Sequence, residues 1–147
     1  MTREELYSLI ENGPLYLDGA TGSNLQKAGM PTGVCPELWI LEHPDTLVDL
    51  QRRYVEAGTR ILYAPTFSGN RLKLREYGLE ERIEEINSEL VKLSRQAAAG
   101  RSFVAGNLTM TGESLAPMGK LQTEELDRKS TRLNSSHSGE SRMPSSA

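Results

Sequence analysis

The chain has 147 residues, 37% of them hydrophobic and 25% charged, with a formal net charge of −3. That length suits about one soluble domain and is too short for a closed eight-stranded α/β barrel, which typically needs about 250 residues. The acidic balance argues against a nucleic-acid binder, and there is neither an apolar run of about 18 residues to span a membrane nor the apolar core of a secretory leader.

Taken in chain order, residues 2–10 predict a short helix. Thr2 followed by Glu5 fits a capping box, and Leu6, Leu9 and Ile10 share one face. Asn12-Gly13-Pro14 ends it. Residues 15–17 predict a first buried strand, stopping at Asp18-Gly19. Residues 20–41, with Gly22, Gly29, Pro31, Gly33 and Pro36, predict irregular chain with one helical turn near 24–28. Pro44 stands at a helix start, and Leu47, Leu50 and Tyr54, flanked by Val48 and Val55, form a stripe running to Gly58. Residues 60–64 predict a second strand stopped by Pro65, with a loop over 66–70 and one or two helical turns over 71–77, ended by Gly78. Leu79, Ile83, Ile86, Leu90, Leu93 and Ala97 recur at spacings of 4, 3, 4, 3 and 4, one face of a helix of roughly five turns closed by Gly100. Residues 102–105 predict a third strand, and residues 123–126 the start of another helix. Strands near 15, 60 and 102 that alternate with helices imply βαβ units and a parallel sheet with right-handed crossovers.

The composition changes near the C-terminus. Residues 127–147 hold seven serines and no aromatic residue, and only Leu133, Met143 and Ala147 are apolar. A segment of this kind buries too little apolar surface to offset its ordering entropy. It is expected to be a disordered tail. Residues 127–137 also resemble the translation of a short-read sequencing adapter, and residues 141–147 resemble that adapter's continuation in the same frame. The expectation is that residues 127–147 are translated adapter and not protein. Residues 1–126 then carry 13 Lys and Arg against 18 Asp and Glu, with His43 the only histidine, and break off as a helix opens.

In parallel α/β folds, ligands meet the C-terminal ends of the strands. Here those ends carry Asp18-Gly19, residues 65–70 and residues 107–112, all small, polar and glycine-containing. They offer a carboxylate, hydroxyls and backbone N–H groups to a polar ligand. Each also has a plainer reading. Asp18 suits a turn cap, Thr66 a loop hydroxyl, Asn107 a left-handed turn residue, and His43 a helix cap or surface position. Residues 19–22 lack the third glycine of a dinucleotide fingerprint and the lysine of a P-loop. Cys35 is the only cysteine, which excludes a disulfide framework and a zinc cluster made by this chain alone. It reads as a partly buried loop thiol in a reducing, cytoplasmic protein.

Leu17-Asp18-Gly19-Ala20-Thr21-Gly22 after the first strand resembles the start of the homocysteine S-methyltransferase domain. So do the helix leading to Tyr54-Val55-Glu56-Ala57-Gly58-Thr59, the stretch Ala64-Pro65-Thr66-Phe67, the run from Lys73 to Glu80, and Ala105-Gly106-Asn107-Leu108-Thr109-Met110-Thr111-Gly112. The resemblance covers nearly all of residues 14–126 and is strongest to the homocysteine-binding module of cobalamin-dependent methionine synthases. Relatives that use S-methylmethionine or betaine as donor are also similar. It implies an α/β fold, the N-terminal part (about three βα units) of a (βα)8 TIM barrel, incomplete. It implies methyl transfer to the thiol of homocysteine, with zinc held by three cysteines in the complete protein and cobalamin where the donor is methylcobalamin. It also implies Asp18, Gly19, Thr66 and Asn107 as substrate-binding residues. Asp18 would take the ammonium or nearby backbone and the Gly19 N–H the carboxylate side, while close relatives often carry Asp where this chain has Asn107. Cys35 matches none of the zinc cysteines, so no catalytic or metal-binding residue is expected among these 147. The expectation is that this piece lacks the C-terminal barrel half and any donor domains, is inactive and does not fold cooperatively alone. A non-catalytic amino-acid-binding module and a structural fragment without function are the alternatives.

Overall fold

A computed structural model describes residues 2–108, 114–120 and 122. Helix α1 (Arg3–Glu11) begins as its sequence predicts. Thr2 Oγ1 accepts the Glu5 N–H at 3.1 Å, and the Glu5 carboxylate accepts the Thr2 N–H at 2.6 Å. Its apolar face stays largely uncovered, with Leu6 and Leu9 half-buried and Ile10 exposed.

The expected first strand is reduced to one parallel bridge, Leu17 to Ile61. The Asp18 N–H donates to the Ile61 carbonyl at 3.2 Å and the Arg60 N–H to the Tyr16 carbonyl at 2.8 Å. Two residues beyond Ile61, the Tyr63 N–H donates to the Asp18 side chain at 3.1 Å, so the backbone ladder ends there.

After helix α2 (Gly22–Lys27), near its predicted position, comes an unexpected helix, α3 (Pro36–Glu42). The expectation of irregular chain up to residue 41 is therefore corrected. Pro36 opens the helix, Glu37 sits in its first turn, and Trp39 and Ile40 are buried. Four consecutive apolar residues, 38–41, hide the helical period. Helix α4 (Pro44–Glu56) matches expectation, and Gly58 turns the chain at φ 102°. His43 sits between the two helices, its ring stacked on Trp39 at 4.2 Å between centroids. It makes no side-chain cap to α4.

Strand β1 (Ile61–Tyr63) pairs in parallel with β2 (Phe103–Ala105), with Ile61 opposite Phe103 and Tyr63 opposite Ala105. Between them lie α5 (Arg71–Arg75), capped by the Asn70 side chain, a 3-10 turn (Glu80–Arg82) and α6 (Ile83–Ala98). The expected five-turn helix thus starts with a 3-10 turn. Its stripe is nonetheless the core, with Ile83, Ile86, Leu90 and Ala97 buried. The helix ends on Ala99 in the left-handed conformation (φ 48°), one residue before the glycine expected to close it.

The result is an α/β fold with a small parallel sheet. One apolar cluster joins α2, α3, α5 and α6 around Leu25, Ile40, Leu74, Ile86 and Leu90. A second places α4 and α6 on β1 through Val48, Val55, Leu62 and Ala97. Among the described residues, no helix is long and apolar enough to cross a membrane. The expected helix at 123–126, the tail at 127–147 and the loop residues 109–112 lie outside the described residues.

Candidate functional site

The C-terminal ends of the bridge segment, β1 and β2 converge on a cleft of about 440 Å3. Three of the four residues singled out by the sequence line it: Asp18, Gly19 and Asn107. Thr66 is only 3% exposed and works from behind. Its hydroxyl donates to the Asn107 carbonyl and accepts the Asn107 N–H, both at 3.0 Å. This reciprocal clasp ties the loop after β1 to the loop after β2. Asn107 therefore contributes its backbone to a fixed loop junction.

Asp18 reaches across from the bridge segment, one carboxylate oxygen on the Tyr63 N–H. Burial pushes its carboxyl above the usual range, while the hydrogen bond from Tyr63 pulls the other way. Gly19 is favoured by a close approach. A β-carbon there would lie 3.0 Å from the Tyr54 hydroxyl and 3.1 Å from its ring. Tyr54 donates to the Ala20 carbonyl at 3.0 Å, and Asn24 Nδ2 donates to that carbonyl at 2.6 Å and to the Tyr54 hydroxyl at 3.3 Å. The turn bearing Asp18 and Gly19 is thus held by a residue of α4. Its place in an apolar helix stripe marks Tyr54 as core and conceals its polar end.

Glu37 is the other residue that sequence reasoning misses. It lines the cleft and is 2% exposed. Its Oε1 accepts the Ser68 N–H at 2.8 Å, and its Oε2 accepts the Cys35 S–H at 3.6 Å. Burial pushes the Glu37 carboxyl up. Burial, helped by the adjacent Glu37 carboxylate, also pushes the Cys35 thiol up. A thiol held protonated is neither a nucleophile nor a metal ligand. Of the described residues lining the cleft, none is Lys, Arg or His, whereas two are carboxylic acids. The other walls are mixed, apolar at Leu25, Met30, Ile40 and Phe67 and polar but uncharged at Thr21, Gln26, Ser68 and Asn107. Such a cleft suits a small ligand with a cationic head and an apolar or thiol-bearing body.

Among the described residues, no three His, Cys, Asp or Glu side chains are grouped to hold a metal ion. The described part of the chain does not by itself fit the zinc that the sequence resemblance implies.

The fold is that of an α/β protein with a cleft at the C-terminal ends of its parallel strands. Comparison with known proteins narrows this. The homocysteine S-methyltransferase family matches residues 15–142, and the chain belongs to that family. Over 105 residues it is 29% identical to the S-methylmethionine–homocysteine S-methyltransferase BHMT2 of Pongo abelii, covering 69% of this chain and 28% of that protein. Over 100 residues it is 28% identical to the methionine synthase of Mycobacterium tuberculosis, covering 64% of this chain and 8% of that one. The chain therefore spans less than a third of the length of these relatives. Its fold is similar to that of the homocysteine methyltransferase MmuM of Escherichia coli. The metallated form aligns with a TM-score of 0.72 at 18% identity, over 89% of this chain and 52% of that one. The oxidized form aligns with a TM-score of 0.60 at 22% identity, over 70% and 40%.

Proposed function

We propose that this chain is the homocysteine-binding start of a methyltransferase that moves a methyl group onto the homocysteine thiol to give methionine. In this reading residues 1–126 are the first three βα units of a (βα)8 barrel, and residues 127–147 are translated adapter. The observation that carries the reading is the Asp18 carboxylate at the strand ends of a chain from this family, in a cleft with no cation among its described lining. Asp18 has one oxygen on Tyr63 and takes the substrate ammonium with the other. The Gly19 N–H serves the substrate carboxylate. Thr66 and Asn107 hold the two loops that shape the far side.

The methyl-transfer step itself lies outside this chain. The zinc that the family resemblance implies would supply Lewis acidity toward a thiol in the complete protein. Its ligands would come from sequence beyond residue 126. The donor, whether methylcobalamin, S-methylmethionine or betaine, is likewise set elsewhere.

The test is to express the continuous natural reading frame past Leu126 and assay methionine formation from L-homocysteine with each donor. Turnover with one donor is the expected result, and a complete barrel without turnover would overturn the enzymatic reading. The same reading frame tests the adapter assignment. Codons unrelated to the adapter at Asp127 and beyond would refute it. In that longer protein Thr66→Val should lower stability by about 1–3 kcal/mol in chemical denaturation, because it strands both the Asn107 N–H and its carbonyl. Thr66→Ser should retain most of it.

A further inference from the structure

The Ser68 N–H to Glu37 Oε1 hydrogen bond joins α3 to the loop that leaves β1. That loop, residues 64–70, carries Thr66 in its clasp and Phe67 on the cleft wall. Its other end is also anchored from outside, by Asn87 of α6, whose amide donates to the Gly69 carbonyl at 2.7 Å. Glu37 therefore holds the middle of a short loop whose two flanks are fixed by other elements. It does so with a side chain that burial makes unfavourable to ionise and that no described cation offsets. An apolar residue of similar length would suit that apolar surrounding better if α3 needed only to pack. What an apolar residue lacks is an acceptor for the Ser68 amide.

We infer that Glu37 is a positioning residue of the cleft: by accepting the Ser68 amide it sets the 64–70 loop at the spacing the bound amino acid requires. The inference rests on the reading of this cleft as a homocysteine site. Glu37 acts through the loop rather than by touching the reacting atoms, so its loss weakens substrate binding and leaves the chemical step alone. Cys35 is a secondary support, its thiol occupying the second carboxylate oxygen.

The experiment compares Glu37→Met, which keeps the side chain's length but removes the acceptor, with Glu37→Gln, which keeps a carbonyl oxygen for Ser68. Both are made in the protein extended past Leu126. Hydrogen exchange is followed by mass spectrometry on the peptide spanning residues 64–70. Steady-state kinetics are followed with L-homocysteine as the varied substrate. In Glu37→Met the peptide should exchange about tenfold faster and the homocysteine KM should rise about tenfold, as loss of a buried acceptor implies, with kcat within about twofold. In Glu37→Gln both should return close to wild type. Wild-type exchange in Glu37→Met would overturn the inference, and so would failure of Glu37→Gln to restore what Glu37→Met loses. A fall in kcat with KM unchanged would overturn it as well. A wild-type protein without turnover would refute the proposed function, and the exchange measurement would then decide the role of Glu37 by itself.

Discussion

In the protein extended past Leu126, Asp18→Asn should raise the homocysteine KM by about a hundredfold, the scale of losing a charge-assisted hydrogen bond to an ammonium. The amide retains an acceptor for the Tyr63 N–H, so the bridge segment keeps its geometry and the loss reports charge. Stability should move the other way. Burial raises the Asp18 carboxyl above its unfolded value. Its contribution to folding is therefore fully present below the unfolded pKa and is lost as pH rises through the folded one. At neutral pH the ionised Asp18 works against the fold, and the Asp18→Asn variant should have an unchanged or higher melting temperature. For the wild type, homocysteine affinity should fall as pH drops into a window above the ordinary carboxylate range, because protonation removes the charge the ammonium needs. A KM–pH profile and a thermal melt check both halves. An unchanged KM for Asp18→Asn would remove Asp18 from the binding site.

The second large effect concerns cooperativity. The 147-residue chain alone should give a broad thermal transition by near-ultraviolet circular dichroism and bind a hydrophobic dye, whereas the extended protein should melt sharply. The apolar clusters are well formed, yet much else is uncovered. Tyr16 is 63% exposed and Leu17 47%, both at the bridge segment, and Leu108 after β2 is 56% exposed. Helix α1 buries no residue. Among the described residues the sheet has two strands and a single further bridge, a form that is marginal in water. A sharp two-state melt of the isolated chain would show that it needs nothing further to fold.

Much of this structure was legible in the residues. The capping box at Thr2 and Glu5, the proline at the start of α4 and the long stripe of α6 each combine a local signal with a periodic one, and each element formed near its expected place. What stayed hidden depended on tertiary partners. The first strand shrank to a bridge because the Asp18 side chain takes the next ladder donor, a choice that a run of three apolar residues cannot reveal. Helix α3 escaped because four adjacent apolar residues carry no period. Glu37 escaped with it. A glutamate in a supposed loop reads as solvated, and only the placement of α3 buries it against Ser68 and Cys35. Ala99 took the left-handed position beside Gly100, where propensity alone favours the glycine. Of the cleft's lining, Asp18, Gly19 and Asn107 were readable from their places after strands, whereas Tyr54, which backs the Gly19 turn, counted as core.

Tyr54 bears on how this fold diversifies. It belongs to helix α4, yet its hydroxyl holds the Ala20 carbonyl and its ring lies against Gly19. The turn that would meet the substrate is therefore cast against a helix side chain. Substitutions on the inner face of α4 would therefore shift the turn that carries Asp18 and Gly19, and a directed-evolution library aimed only at the loops would leave out a position that holds the cleft's wall.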